Sequence, residues 1–154
     1  MRDFVDLNEL YPLIKEVIES GGTFRIFPRG ISMLPLIKEG EDEIVLGAVD
    51  KINIGDVLFY QRENGDFVLH RLINIHRGTL IMCGDNQRAL ERGIKPQQVL
   101  AKMVGYCKKG QFHSIDEPEY IKYSKGKVKR FPFYRKNTDI YDFLRKCKRI
   151  IKKS

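Results

Sequence analysis

The chain has 154 residues, with 28 Lys and Arg against 20 Asp and Glu, a formal charge of +8. That length is one ordinary domain, with room for an appendage, and it buries a sizeable core without staples. Apolar residues at 42% and charged residues at 31% exclude a disordered or collagen-like chain, and three distant cysteines with no C-x-x-C pair indicate neither a zinc site nor a disulfide framework.

The cysteine usage points to a reducing compartment. The N-terminus, MRDFVDLNELYPL, is acidic where a signal peptide is basic and then apolar. No stretch reaches the roughly 18 apolar residues of a membrane span. The expectation is a cytoplasmic protein, peripheral at most to the inner membrane surface.

Leu10, Leu13, Ile14, Val17 and Ile18 recur at helical spacing, which predicts a helix over about 8–20. Asn8 is its expected cap, Pro12 is tolerable only near the first turn, and Gly21-Gly22 stops it. From Thr23 the pattern becomes short runs of Val, Ile, Phe and Tyr between Gly, Asn and Asp. Strands are expected at 23–27, 43–47, 57–62, 67–75, 79–83, 98–107 and 111–115. Asn64-Gly65 is a strong hairpin signal, with tight turns also at Gly78 and Lys108-Lys109-Gly110. The body therefore reads as mainly β, a coiled antiparallel structure behind one short helix.

Charge divides the chain. Residues 1–118 carry 15 basic and 17 acidic residues; residues 119–154 carry 13 basic and 3 acidic. A boundary is expected near Asp116–Pro118, with a domain over 1–118 and a basic extension over 119–154. Within that extension Ile140, Phe143, Leu144, Cys147, Ile150 and Ile151 predict a basic amphipathic helix over about 138–152, capped by Asn137 or Thr138.

Three stretches carry candidate chemistry. Ser32 lies in Gly30-Ile31-Ser32-Met33-Leu34-Pro35, between a strand and a turn forced by Pro35. A fixed, exposed serine suits a nucleophile, but its hydroxyl needs a base within hydrogen-bond reach. His70, in Leu69-His70-Arg71, is the base best matched to neutral pH. Strand alternation puts it on one face with Val68 and Leu72, and Arg71 on the other. The third stretch is Cys83-Gly84-Asp85-Asn86, with Glu91 six residues beyond Asp85. A carboxylate there would orient the imidazole, as in a Ser-His-acid triad. Singly, each piece is commonplace: a turn serine, a strand histidine, a Gly-Asp-Asn turn.

Together, G-x-S-M-x-P (Gly30 to Pro35), G-D-V-x-x-[FY] (Gly55 to Tyr60), L-H-R (Leu69 to Arg71) and G-D-N (Gly84 to Asn86) resemble the type I signal peptidase family and the related self-cleaving repressor peptidases. The resemblance covers about residues 23–107. His70, where the usual bacterial branch has lysine, is similar to the Ser-His branch. It implies a serine endopeptidase cleaving a precursor or leader peptide, with Ser32 as nucleophile, His70 as base and Asp85 as third member. Glu91 is the alternative, standing where that branch carries an aspartate; Asp85 is preferred because it keeps the family's residue type. Gly30, Ile31, Met33 and Pro35 would form the oxyanion and substrate-binding wall, and strand 23–27 and the segment after Pro35 the edges along which a peptide extends. For Met33 and Leu34, core packing stands beside pocket lining or membrane contact.

The competing reading is a non-catalytic peptide-binding module of the same fold, tethered by its basic tail to a membrane surface or nucleic acid. The basic helix fits solvated packing on the body or an anionic leaflet. Nucleic acid ranks last, on the aromatic and basic residues of 119–136 alone. His76 and His113 have no assigned role, Cys83 and Cys107 are packing residues, and no metal or organic cofactor is called for.

Overall fold

The computed structural model describes residues 6–132. Helix α1 spans Leu7–Glu19, one residue ahead of the expected span. Its cap is Asp6 rather than Asn8: the Asp6 carboxylate accepts from the Asn8 N–H at 3.0 Å, satisfying one of the orphan donors of the first turn. Asn8 instead donates its own side-chain amide to Asp6. Ile14 and Ile18 are buried while Leu13 stays exposed, so the packed stripe is narrower than the apolar spacing. The helix stops as expected, with Gly21 at φ 85° and the Gly22 N–H donating to Val17 O.

Eight strands follow: β1 (Phe24–Ile26), β2 (Glu43–Gly47), β3 (Val57–Gln61), β4 (Phe67–His76), β5 (Thr79–Cys83), β6 (Glu91–Ile94), β7 (Val99–Lys108) and β8 (Gln111–Ser114). Seven match the expected runs within about two residues. β6, Glu-Arg-Gly-Ile, has no apolar alternation and is found only by its pairing with β5. Every pairing is antiparallel, in the order β1-β2-β7-β3-β4-β5-β6, with β8 added to β7. The chain is thus mainly β, as its pattern predicts.

Both faces of the central strand β3 are buried. Val57 and Phe59 join Ile14, Met33, Ile37, Ile44, Leu46 and other residues in one cluster. Leu58 and Tyr60 join Val68, Leu72, Leu80, Met82 and Ile94 in another. Such a strand reads as a continuous apolar run rather than an alternating one. Asn64-Gly65 turns β3 into β4, with Gly65 at φ 93° and Arg62 N–H donating to Asp66 O at 2.8 Å. That turn fixes the register Leu58↔His70 and Val57↔Arg71. His70 therefore sides with Val68 and Leu72, and Arg71 with the opposite face.

Helix α2 (Pro118–Lys129) opens where the composition shifts. It packs against the body: Tyr120 is buried in the first cluster, and Tyr106 and Tyr120 lie with ring centroids 5.9 Å apart. The helix expected over 138–152 lies outside the described residues. Among the described residues no helix is long and apolar enough to cross a membrane.

Candidate functional site

Ser32 stands in a single tight turn. Gly30 enters it at φ 86°, which a side chain would strain, and the Leu34 and Ile37 N–H groups close it on Ile31 O and Met33 O. The loop after β5 clamps this turn from behind. Asn86 N–H donates to Ser32 O at 2.8 Å, and the Asn86 side-chain amide donates to Ile31 O at 3.1 Å. The backbone N–H groups of Ser32 and Met33 have no acceptor among the described residues.

Ser32 and His70 line one cleft of about 270 Å³ together with Gly30, Met33, Val68 and Gln87. No direct Ser32–His70 hydrogen bond forms among the described residues; such bonds are commonly long before substrate arrives. Met33 serves both expectations at once, buried in the core and facing the cleft. Ile31 and Pro35 are exposed, and neither lines the cleft. The cleft continues into a larger groove of about 580 Å³, sharing Pro28, Phe67 and Leu69 with it and walled further by Phe24, Phe27 and Phe59. β1, at the end of the sheet, borders this groove.

The two candidate carboxylates have different company. Asp85 faces Arg71: Arg71 Nε donates to Oδ1 at 2.8 Å and Nη2 to Oδ2 at 2.7 Å, with both side chains almost wholly out of solvent. Tyr123 of α2 donates to the same Oδ2 at 2.9 Å. Arg71 Nη1 is met by Gly55 O, Ser124 Oγ and Tyr120 Oη. No hydrogen bond joins Asp85 to His70 among the described residues. Glu91 lies on the His70 side. It accepts from Tyr60 Oη at 2.9 Å, and Tyr60 Oη is 3.4 Å from His70 Nδ1. Arg62 holds Glu91 bidentately, Nε to Oε1 and Nη2 to Oε2, each at 2.8 Å. Ser32, His70 and, through Tyr60, Glu91 are thus brought together, while Asp85 is joined to Arg71.

Burial holds the His70 imidazole down to about 4, with Glu91 and Asp85 pulling it up and Arg62 pushing it further down. His70 is therefore neutral at pH 7, but burial makes it a weaker base than the match to neutral pH expected from its residue type. Burial also works against Glu91's charge, but Arg62 and Tyr60 outweigh it and keep that carboxyl below its usual range. The Cys83 thiol is pushed up to about 12 by burial and by Asp85, which makes it an inert packing residue. Among the described residues no group of three or more His, Cys, Asp or Glu is arranged to hold a metal ion.

The His70 shift has a stability consequence. The unfolded chain takes up this proton below about 6.5, and the folded one does so only near 4. Stability is full above 6.5 and is lost as pH falls toward 4, on the order of 3 kcal/mol in total. Urea unfolding of His70→Asn should show a flatter decline than wild type between pH 6.5 and 5. Parallel declines would mean that His70 is not held neutral by burial.

The roles that spacing alone does not reveal are those of Tyr60, Arg62 and the four α2 residues, Tyr120, Tyr123, Ser124 and Lys127, that hold the Arg71–Asp85 pair. The hairpin register contains the clue to the first: Tyr60 pairs with Val68, two residues from His70 and on its face. No protein-family model matches the chain and no curated protein matches it, so the chemistry of the site rests on its geometry.

Proposed function

We propose that the protein is a serine endopeptidase of the signal peptidase type, cleaving a precursor or leader peptide by a Ser-His mechanism. The observation that carries this reading is one cleft lined by both Ser32 and the buried His70. Ser32 Oγ attacks the peptide carbonyl as His70 takes its proton, and His70 then returns that proton to the leaving amine. The Ser32 and Met33 N–H groups receive the oxyanion. Glu91 is the carboxylate that supports His70, and Asp85 serves the fold through Arg71. The apolar groove beside edge strand β1 accepts the extended substrate. The antiparallel sheet with the Gly30–Pro35 turn packed on it supports the same family reading.

The test is a mass-spectrometric cleavage assay on a diverse peptide library, with and without anionic vesicles. Wild type, Ser32→Ala and His70→Ala are compared. Cuts made by wild type and lost by at least about 100-fold in both variants are expected. Cuts that persist in Ser32→Ala would overturn the mechanism. Binding of peptides with no cleavage by wild type would favour the peptide-binding module.

A further inference from the structure

A histidine that acts as base at one ring nitrogen must carry its proton on the other. In this site the partner of Nδ1 is not a carboxylate but the Tyr60 hydroxyl, 3.4 Å away. Tyr60 is fully buried, and its ring meets the His70 ring edge-on at 65° with centroids 6.3 Å apart. Its hydroxyl has a single proton. Glu91, ionised by its bidentate Arg62 partner, has none to give and accepts the Tyr60 proton at 2.9 Å. With that proton committed, Tyr60 Oη can only accept from His70. The neutral ring is then protonated at Nδ1 and bears its lone pair at Nε2.

We propose that Tyr60, oriented by Glu91 and Arg62, is a positioning residue that locks His70 in the Nδ1–H tautomer. The charged and titratable groups that act on His70 are Tyr60 and Arg62 from β3 and its turn, Glu91 from β6 and Asp85 from the loop after β5. Among the described residues only Tyr60 is within hydrogen-bond reach of its Nδ1. The contact is long in the resting site. When His70 gains a proton from Ser32, Nδ1–H becomes part of a cation and a stronger donor, so the contact tightens as the reaction proceeds. Tyr60 keeps its own proton throughout, since burial and then the Glu91 charge raise its pKa far above the ordinary phenol value. The catalytic consequence rests on the Ser-His reading of the cleft; the tautomer does not.

The test is nitrogen-15 NMR of the histidine rings in the full chain at pH 7, with His70→Gln to assign the His70 signals. Wild type should show His70 protonated at Nδ1. Tyr60→Phe removes the acceptor, and the signals should move toward the Nε2–H form that an unconstrained histidine side chain prefers. Glu91→Gln is the second variant, nearly identical in shape. Arg62 has only donors and will take the amide oxygen, turning the amide NH₂ toward Tyr60. That frees the Tyr60 proton to point at Nδ1, and the tautomer should again switch. Retention of Nδ1–H in both variants, or Nε2–H in wild type, overturns the proposal. Cleavage is read separately. On any peptide that wild type cuts, Tyr60→Phe should lower kcat by at least about 100-fold with KM nearly unchanged. A tautomer switch without cleavage by wild type would leave the positioning role standing and remove the peptidase reading. Cleavage without a switch would do the reverse.

Discussion

Asp85→Ala lowers the unfolding free energy by about 3–5 kcal/mol, the cost of leaving one member of a buried ion pair without its partner. Arg71 has no exposed side-chain surface, and Asp85 is its one anionic partner among the described residues. Its other acceptors, Gly55 O, Ser124 Oγ and Tyr120 Oη, are neutral and already in use. Arg71 cannot respond by releasing its proton, since a guanidinium stays protonated in a protein even without its carboxylate. The same substitution strips Tyr123 of its acceptor, so α2 loses a tether as the core loses a charge. Urea denaturation at pH 7 measures the loss. Arg71→Met combined with Asp85→Ala should cost less than the sum of the two single changes, since the double variant buries no orphan charge. A loss below about 1 kcal/mol for Asp85→Ala, or strict additivity in the double variant, would refute a structural role for the pair.

That prediction separates two carboxylates which the sequence leaves side by side. Asp85 and Glu91 are both near His70 in the chain, and family type favours Asp85. What decides between them is partnership, and the partners come from distant places. Arg71 is adjacent to His70 but faces the other side of β4, a consequence of strand alternation that is legible in the residues themselves. The α2 contacts are not legible, because Tyr120, Tyr123 and Ser124 sit in a stretch whose lysines dominate its pattern. Read by charge, 119–136 resembles a solvated or nucleic-acid-binding segment. Its first half is a helix whose tyrosines are turned onto the body, with Lys127 also donating to Asp85 O at 3.0 Å. β6 escapes for a related reason: Glu91 and Arg92 are polar, and Glu91 is turned onto Tyr60 and Arg62 rather than displayed to solvent. By contrast the Asn64-Gly65 hairpin, the apolar runs of β3 and β5 and the Gly21-Gly22 stop are local signals, and local signals carry through to the fold.

Gly84→Ala disables the site by about 100-fold while costing only about 1–3 kcal/mol of stability. A Cβ at position 84 would come within 2.7 Å of Ser32 O and 2.8 Å of Gln87 Oε1. Gln87 can swing aside; it is a side-chain end. Ser32 O belongs to the backbone of the Gly30–Pro35 turn, and it already accepts from Asn86 N–H at 2.8 Å. To relieve the contact, the turn and the 84–87 loop must separate. That lengthens the Asn86 bond and carries Ser32 Oγ and the two free N–H groups away from His70. His70 itself stands on β4 and does not follow, so the cost falls on the mutual geometry of Ser32 and His70. Gly126→Ala provides the control, since a Cβ there meets nothing within 4 Å and its α2 position prefers alanine. Cleavage rates of the two variants, measured on a peptide that wild type cuts, should differ by the full factor. The Ser32 amide resonance should shift in Gly84→Ala alone. Wild-type cleavage by Gly84→Ala would mean that the loop after β5 does not position Ser32, and the clamp would then have no bearing on the chemistry.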